Sequence, residues 1–278
     1  MTGATLFVVA TPLGNLGDLS LRAAELLRRV PVVAAEDTRR VRGLLAHLGA
    51  RPKVLSYHAH SPERRAALIV EILAGGRDVA LVTDAGTPGV SDPGEILVAQ
   101  AREAGIPVVP IPGPSAVTTA LSASGLPAGR YLFLGFAPRR GRDRDTWLKA
   151  ATSAPWTVVM FESAVRVAAL LTDLGEVAGD ARRVVVAREL TKLHEEIRAG
   201  TLGELAREFG ARETRGEITI VLAGSGSAAA EAPTPVDPAA RAAELLRDGL
   251  SRKDAAHQLA AELGLPRNTA YRMVMALQ

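Results

Sequence analysis

Short apolar runs alternate with segments of helical periodicity along the first part of the chain. Runs rich in Val and bounded by turn residues favour buried parallel strands, and Pro62 after Ser61 suits the first turn of a helix. The pattern therefore predicts a doubly wound, mainly parallel sheet. Its predicted strands are Leu6–Ala10, Val30–Ala35, Lys53–Tyr57, Val79–Thr83 and Val108–Ile111, and its predicted helices are Ser20–Arg28, Arg39–Leu48, Pro62–Ala74 and Gly94–Ala104.

A second alternating unit follows, with fewer Gly-Pro loops and more charge at its strand ends. We expect its sheet to be mixed, and Ser115–Ser124 to be a helix that leaves the first sheet. The predicted strands are Tyr131–Phe136, Thr157–Phe161, Arg183–Ala187 and Glu217–Ala223, and the predicted helices are Arg144–Ala151, Val165–Leu174 and Thr201–Glu208.

The end of the chain has a different pattern. A Gly/Ser/Ala/Pro-rich stretch predicts a flexible linker, and the residues after it predict three short helices in a helix-turn-helix layout. Gly249 is expected to end the first helix, Ser251 to cap the second, Arg252–Leu263, and Asn268 to cap a last helix reaching Leu277. The predicted organisation is an α/β domain over residues 1–114, a second over 115–224, a linker over 225–238 and a helical tail over 239–278.

Composition limits the function classes. With 47% hydrophobic and 23% charged residues, the 278-residue chain can bury large cores and is not disordered as a whole. The absence of cysteine excludes disulfides, thiolate zinc sites and cysteine nucleophiles. With neither a secretory signal pattern nor a run of 18 apolar residues, we expect a cytoplasmic protein without a membrane partner. The net charge of +3 is compatible with a polyanionic partner, although a coding bias towards arginine explains it equally well.

Three loops rich in glycine and proline each follow a predicted strand of the first unit. They are residues 11–18, residues 84–94 and residues 112–116. In open α/β sheets, ligands bind outside the carboxyl ends of the strands, and glycine lets the backbone approach a ligand closely. These loops therefore predict a small-molecule site, with Asp84 at the tip of the second loop orienting the ligand.

The sequence supports neither a nucleotide-binding motif nor a metal site. Glu36 lies 22 residues after Gly14, near the spacing of a ribose-binding acid, but the first loop lacks the Gly-x-Gly of a dinucleotide site and no Walker motif is present. His58 and His60 could share one face of an extended segment, yet no third metal ligand is evident. Polar or substrate contacts are the favoured role for these histidines.

Charged clusters at strand ends leave alternatives open. The segment from Glu36 to Arg39 either starts a helix, with Asp37 or Thr38 as the cap, or contributes to a cleft site. Residues 188–196 form either an exposed charged loop or an acid/base and substrate-orienting segment.

An arginine-rich segment follows the predicted strand Tyr131–Phe136. Its four arginines, at residues 139, 140, 142 and 144, either form a solvated loop or contact the phosphates of a nucleic acid, with aromatic side chains available to stack on bases. We favour phosphate contacts. In the tail, residues 267–272 could reach bases or phosphates, but we expect an appendage to an enzyme to assist RNA binding or dimer packing.

Nine segments occur in the order seen in one enzyme family. They are ATPLGNLGDLSLRA, AAEDTR, SYHAH, TDAGTPGVSDPG, IPGPSA, SGLP, FLGFAP, RELTKLHEE and RGEI. From about residue 5 to its end, the chain resembles the tetrapyrrole-methylase (class III) family of S-adenosylmethionine-dependent methyltransferases. AAEDTR and TDAGTPGVSDPG make it similar to the branch acting on small-subunit ribosomal RNA, rather than to the porphyrin-precursor and diphthine methylases.

The resemblance implies an α/β fold with two αβα domains, a methyl-donor site in the cleft between them, and a helical appendage. It further implies a homodimer without a metal that methylates the ribose 2′-hydroxyl of a cytidine in the decoding region of 16S ribosomal RNA. The substrate would be the small ribosomal subunit rather than naked RNA, and no specific DNA would be bound.

Site residues follow from the same resemblance. Glu36 or Asp37 is expected to contact the target ribose, while Lys192 and His194 stabilise the developing alkoxide or accept its proton. Where the family has Phe-Tyr-Glu-Ala-Pro-His-Arg, this chain has Met-Phe-Glu-Ser-Ala-Val-Arg, which leaves Glu162 and Arg166 as candidates there. The implied donor contacts are Leu13, Asp84, Thr87, Pro88, Ser115, Ala116, Phe161 and Leu190, and the implied substrate contacts include Arg39, His58 and Glu195. The charge pattern, rather than the resemblance, adds Arg139, Arg140 and Arg142 as expected substrate contacts.

Two other functions remain as alternatives. A methylase of the same fold could act on a small tetrapyrrole, but neither the arginine cluster nor the helical tail suits a small buried acceptor. A ligand-sensing, DNA-binding regulator would use the tail to bind an operator, but one mildly basic tail is thin support for it.

Overall fold

The computed structural model describes residues 3–59, 63–226, 238–263 and 265–277. Two five-stranded sheets with flanking helices make up the first part, and three C-terminal helices form a compact unit of their own. None of the described helices is long and apolar enough to cross a membrane. The elements around the first sheet are β1 (Leu6–Val9), α1 (Leu21–Arg29), β2 (Val32–Ala35), α2 (Thr38–His47), β3 (Lys53–Ser56), α3 (Glu63–Ala74), β4 (Val79–Val82), α4 (Glu95–Glu103) and β5 (Val108–Ile111).

The first sheet is wholly parallel, in the order β3-β2-β4-β1-β5, which confirms the predicted doubly wound sheet. The central strands β2 and β4 are buried on both faces. Val79 and Leu81 of β4 belong to the core beneath α3 and α4, whereas Ala80 and Val82 belong to the core beneath α1 and α2. Burial on both faces explains why these strands are continuous apolar runs rather than alternating patterns.

The second sheet is mixed, as expected, in the order β6-β7-β10-β8-β9. Strands β6 and β7 are parallel, and the other neighbouring pairs are antiparallel. Its elements are α5 (Ala116–Ser124), β6 (Tyr131–Phe136), α6 (Arg142–Ser153), β7 (Thr157–Ser163), α7 (Val167–Ala178), β8 (Arg183–Arg188), β9 (Glu196–Thr201), α8 (Leu202–Gly210) and β10 (Glu217–Leu222).

Strand β9 was absent from the sequence-based prediction. It lies at the edge of the sheet beside β8 and none of its residues is buried, so its sequence EIRAGT carries no apolar alternation. Arg198 of β9 is ion-paired to Glu208 of α8 instead. An edge strand held by backbone pairing and surface charges leaves little pattern in a sequence.

The C-terminal unit contains α9 (Pro238–Arg247), α10 (Arg252–Leu263) and α11 (Arg267–Met275). As predicted, Ser251 caps α10, because its Oγ accepts a hydrogen bond of 3.2 Å from the backbone N–H of Asp254. The predicted cap of the last helix was wrong, since α11 begins after Pro266 and Asn268 lies in its first turn. Most of the predicted linker lies outside the described residues; Ser225, which is described, donates its N–H to Ala154.

Candidate functional site

One cavity of about 440 Å³ lies where the carboxyl ends of the parallel strands meet the second sheet. Leu13, Glu36, Asp84 and Ser115 come directly or shortly after β1, β2, β4 and β5, so the parallel topology places them along a single edge. The second sheet contributes the ends of β6 and β7 and the start of β10. The volume lies in the range typical of small-molecule sites. From that sheet, the lining side chains include Phe136, Phe161, Glu162, Ser163, Glu217, Ile218 and Thr219.

The three Gly/Pro loops are hydrogen-bonded to one another. Thr11 and Gly86 exchange two backbone hydrogen bonds, of 2.8 and 3.0 Å. The hydroxyl of Thr87 donates to the carbonyl of Pro114 over 3.2 Å. Gly86 has a φ of +81°, a backbone conformation that glycine adopts readily. These bonds fix the loops as one rigid wall of the cavity.

Six of the eight expected donor residues line this cavity: Leu13, Asp84, Thr87, Ser115, Ala116 and Phe161. The other two, Pro88 and Leu190, are buried and are not part of its lining. Leu190 belongs to an apolar core against which Leu13, Ala116 and Phe161 pack. Leu190 therefore packs behind the residues that line the cavity.

Carboxylates dominate the polar lining. Asp84 accepts a hydrogen bond of 3.0 Å from the backbone N–H of Asp37 and lies 3.5 Å from the guanidinium of Arg40. Burial raises the pKa of Glu36 above its ordinary value, although the backbone N–H of Asp84 donates to that carboxyl. An acidic, partly apolar cavity fits a ligand with a cationic centre and a flat apolar part, as the implied donor has.

Asp92 is the most perturbed acid of the site. It lines the cavity from the second loop, and burial raises its pKa to about 6, helped by the negative charges of Glu36, Asp84 and Glu217. The preceding residue, Ser91, has a φ of +61°, which is unusual for a residue with a side chain. The sequence pattern marks this loop but not Asp92 itself, because the acids that raise its pKa are brought together only by the fold.

Asp37 has a structural function. It caps α2 by accepting the N–H of Arg39 over 2.8 Å, and its carboxylate is ion-paired with the same residue over 3.0 Å. The hydrogen bonds from Arg39 lower the pKa of Asp37 to about 2. Of the two alternatives for this segment, capping is therefore confirmed for Asp37, whereas Glu36 faces the cavity. The Arg39 side chain is largely exposed.

The expected histidines occupy exposed positions. His58 follows β3, and its positive charge when protonated opposes the rise in the pKa of Glu36, so the two residues are neighbours. His194 is exposed in the loop after β8. His60 lies outside the described residues. No group of three His, Asp or Glu side chains suited to a metal ion occurs in the described ranges.

Lys192 lies at the rim of the cavity rather than in its lining. Its ammonium donates to Glu189 over 2.8 Å and to Glu217 over 3.0 Å. Burial lowers the pKa of Lys192, but the two carboxylates outweigh burial and raise it overall. Lys192 is thus a protonated cation that can stabilise negative charge, and it is unsuited to accept a proton.

The loop carrying Lys192 is strained and internally fixed. Glu189 and Thr191 have φ values of +51° and +65°. Glu195 accepts a hydrogen bond from the N–H of Thr191, which closes the loop. Such backbone outliers persist where surrounding contacts enforce them, and they cluster at functional sites.

The arginine segment divides into two groups. Arg139, Arg140 and Arg142 are exposed, as expected for phosphate contacts. The expectation for Arg144 was wrong: its side chain is only 15% exposed and is ion-paired with Asp173 of α7. Helix α6 begins at Arg142, two residues earlier than predicted, which turns Arg144 towards α7.

The segment that departs from the family pattern is well packed. The Phe161 ring lies 5.0 Å from that of Phe133 and 5.5 Å from that of Phe136. Glu162, only 2% exposed, is paired with Arg166 through two hydrogen bonds of 2.8 and 2.7 Å. Phe161 therefore supplies an apolar aromatic face to the cavity, and the charge of Glu162 is compensated.

Comparisons with known proteins agree with this architecture. Residues 5–206 match the family described as Tetrapyrrole (Corrin/Porphyrin) Methylases. The chain is 45% identical, over 97% of its length and 98% of the relative's, to "Ribosomal RNA small subunit methyltransferase I" of Xylella fastidiosa. It is 43% identical to the protein of the same name from Escherichia coli O157:H7, over 98% of this chain and 95% of that one.

Solved structures share the fold at lower identity. Uroporphyrin-III C-methyl transferase from Thermus thermophilus, complexed with S-adenyl homocysteine, has a TM-score of 0.57 at 21% identity, covering 80% of this chain and 98% of that one. Diphthine synthase has a TM-score of 0.62 at 18% identity, covering 79% and 90%. The chain therefore belongs to the tetrapyrrole methylase family, within the group of ribosomal RNA small subunit methyltransferase I.

Proposed function

We propose that the protein transfers a methyl group from S-adenosylmethionine to 16S ribosomal RNA in the small ribosomal subunit. The acceptor in this proposal is the ribose 2′-hydroxyl of a cytidine in the decoding region. The observation that carries the proposal is identity of 41–45% over nearly the whole chain to several proteins named for this subunit's RNA. The cavity can hold the donor, and the exposed arginines that follow β6 can bind RNA phosphates.

The donor binds in the cavity between the two sheets in this proposal. Apolar contacts come from Leu13, Ala116 and Phe161, and the carboxylate of Asp84 provides an acceptor whose position is fixed by Arg40 and by the N–H of Asp37. When bound, the donor supplies a methyl group on a cationic sulfur. The protein's part is to align that group with the acceptor and to exclude water from the cleft.

Glu36 is the residue best placed to activate the ribose hydroxyl. A ribose hydroxyl is a poor nucleophile, and a positioned base contributes roughly 10²–10⁴-fold to such a reaction. Glu36 lines the cavity and its pKa is raised, whereas the carboxylate of Asp37 is engaged in a helix cap and an ion pair. Lys192 stabilises the negative charge that develops on the acceptor oxygen, and we assign no proton transfer to it.

The RNA approaches over the arginine segment and the adjoining loops. Arg139, Arg140 and Arg142 are exposed, directly after β6, whose last residue Phe136 lines the cavity. Their charges suit the phosphates next to a target nucleotide. Further substrate contacts in this proposal come from Arg39, His58, His194 and Glu195. We also propose that the protein is a homodimer, as the family resemblance implies.

A substrate panel tests the proposal. Labelled methyl donor is incubated with purified small subunits, naked 16S ribosomal RNA, duplex DNA and a porphyrin precursor. We expect label in the small subunits, much less in naked RNA, and none in the other two. Glu36→Gln should reduce the rate by at least about 100-fold while leaving donor binding within a few-fold of wild type. Label in the porphyrin precursor alone, or in none of the four despite donor binding, would refute the proposed acceptor.

A further inference from the structure

The end of β6 is held in an unusual way. Strand β6 lies at the edge of the second sheet, and its pairing with β7 shifts register between Phe133 and Phe136. Gly135, within this irregularity, has a φ of +61°. A bulged end of an edge strand has fewer ladder hydrogen bonds to fix its direction. Other contacts must therefore set where the chain goes after Phe136.

Two arginine side chains bind consecutive carbonyls at this point. Arg166 donates from Nη2 to the carbonyl of Ala137 over 2.9 Å, and Arg144 donates from Nη1 to the carbonyl of Pro138 over 2.8 Å. Arginine can do this while its remaining donors bind a carboxylate, because the guanidinium presents five N–H groups in a fixed plane.

Each arginine is itself oriented by an acid. Arg166 is paired with the buried Glu162, and Arg144 donates from Nε to Asp173 over 3.0 Å and from Nη2 to the same carboxylate oxygen. Asp173 lies on α7, so the position of the strand end is coupled to a helix outside the cavity lining. Ala137 and Pro138, whose carbonyls are bound in this way, connect Phe136 in the cavity wall to Arg139 on the surface.

We propose that Arg144 and Arg166 are positioning residues for the RNA substrate. By binding the carbonyls of Ala137 and Pro138, they set the distance and direction between the cavity and the exposed arginines at residues 139, 140 and 142. Neither contacts the RNA itself. The inference rests on the proposed function, since it assumes that phosphates are bound at those three arginines.

An effect of charge alone and an effect of positioning predict opposite changes in the KM of one variant, Asp173→Ala. Asp173→Ala removes one negative charge near the arginine segment and frees Arg144. Glu176→Ala removes one negative charge from an exposed position on the same helix. If charge alone governs RNA binding, both variants lower the KM for small subunits or leave it unchanged. Positioning predicts that Asp173→Ala raises that KM about five- to tenfold and that Glu176→Ala does not.

A conservative substitution tests the geometry of Arg144 without changing its charge. Arg144→Lys keeps the charge but cannot bind both Asp173 and Pro138 in the same geometry, so its KM should rise as in Asp173→Ala. Arg198→Lys makes the same change in an exposed arginine–glutamate pair of β9, and its KM should stay within about twofold of wild type. In Asp173→Ala and Arg144→Lys, donor affinity and kcat should stay near wild type, which a general loss of folding would not allow.

The outcomes distinguish the inference from the proposed function. An unchanged or lower KM in Asp173→Ala, or full retention of KM in Arg144→Lys, would overturn the positioning role while leaving the methylation of small subunits intact. Failure of the wild-type protein to methylate small subunits would overturn both. A raised KM confined to Asp173→Ala and Arg144→Lys, with Glu176→Ala and Arg198→Lys near wild type, supports the inference.

Discussion

The side chain of Lys192 packs directly on Gly14, so that a Cβ at residue 14 would overlap the Cγ of the lysine. The contact joins the first loop of the parallel sheet to the loop after β8 in the second sheet. Next to it, the N–H of Asn15 donates to the hydroxyl of Thr191 over 3.2 Å. The packing also orients the ammonium of Lys192 between Glu189 and Glu217. The close packing of a lysine from the loop after β8 thus requires glycine at residue 14.

This contact predicts strong coupling between residues 14 and 192. Gly14→Ala should displace the lysine and reduce kcat/KM, and Lys192→Ala should do so by removing the cation. Because both changes disrupt the same arrangement, the double variant should be no worse than Lys192→Ala, with a coupling free energy of about 1 kcal/mol or more. Steady-state kinetics on small subunits for the four proteins of this cycle would measure it. Strictly additive effects would show that the contact has no functional role.

Much of the fold could be predicted because its signal is local. Val79–Val82 is apolar throughout since both faces of the strand are covered, and Ser251 directly precedes a helix whose N–H group it binds. Strand β9 could not be predicted, because an exposed edge strand carries no hydrophobic alternation.

From the sequence, only the loops that form the site could be predicted, and not the interactions of their side chains. The convergence of the strand-end loops follows from parallel topology, so the sequence located the cavity. The ion pairs and the pKa of each side chain, in contrast, depend on residues that are distant in the sequence. Lys192 is paired with Glu217, 25 residues away, and Arg144 is paired with Asp173. The carboxyl of Asp92 interacts with the charges of Glu36 and Glu217 from two other segments, and with that of Asp84 at the start of its own loop. No spacing rule relates such residues before the chain is folded.

Asp92 predicts a pH-dependent stability. Folding raises its pKa from 3.8 to about 6, so the folded protein loses stability on ionising Asp92 as the pH rises through this range. Asp92→Asn removes that cost. Relative to wild type, it should gain about 2 kcal/mol between pH 4 and pH 8, less than the full shift implies because the side chain is partly exposed.

Urea unfolding at pH 4, 6 and 8 would measure this gain. Asp18→Asn, which neutralises an exposed acid of the first loop, serves as the control. A difference between Asp92→Asn and wild type that is the same at all three pH values would contradict the assignment of a raised pKa.

Asp84 predicts a loss of donor affinity. Asp84→Asn removes the negative charge next to the proposed donor but keeps an oxygen that can accept the N–H of Asp37. Hydrogen bonds to charged groups contribute about 1.5–3 kcal/mol, so the Kd for the donor or its demethylated product should rise at least about tenfold. Calorimetric titration would measure it, with Asp37→Asn as the comparison. Unchanged affinity in Asp84→Asn would place donor binding elsewhere.

The exposed arginines predict a salt effect. Arg139→Ala and Arg140→Ala should each weaken small-subunit binding and reduce the dependence of log K on log salt by a little less than one unit, because one phosphate contact is lost. Filter binding between about 50 and 200 mM salt would provide the slopes. Arg215→Ala, which removes an exposed arginine paired with Glu213, is the control and should leave the slope unchanged. Equal slopes in all variants would exclude the arginine segment from the RNA interface.

The most direct test of the central claim is nucleoside mass spectrometry of 16S ribosomal RNA from small subunits incubated with the protein and labelled donor. The account predicts a single labelled product, 2′-O-methylcytidine, in a fragment from the decoding region, and its loss in Glu36→Gln. A label on a base, on another nucleoside or outside that fragment would contradict the assigned acceptor.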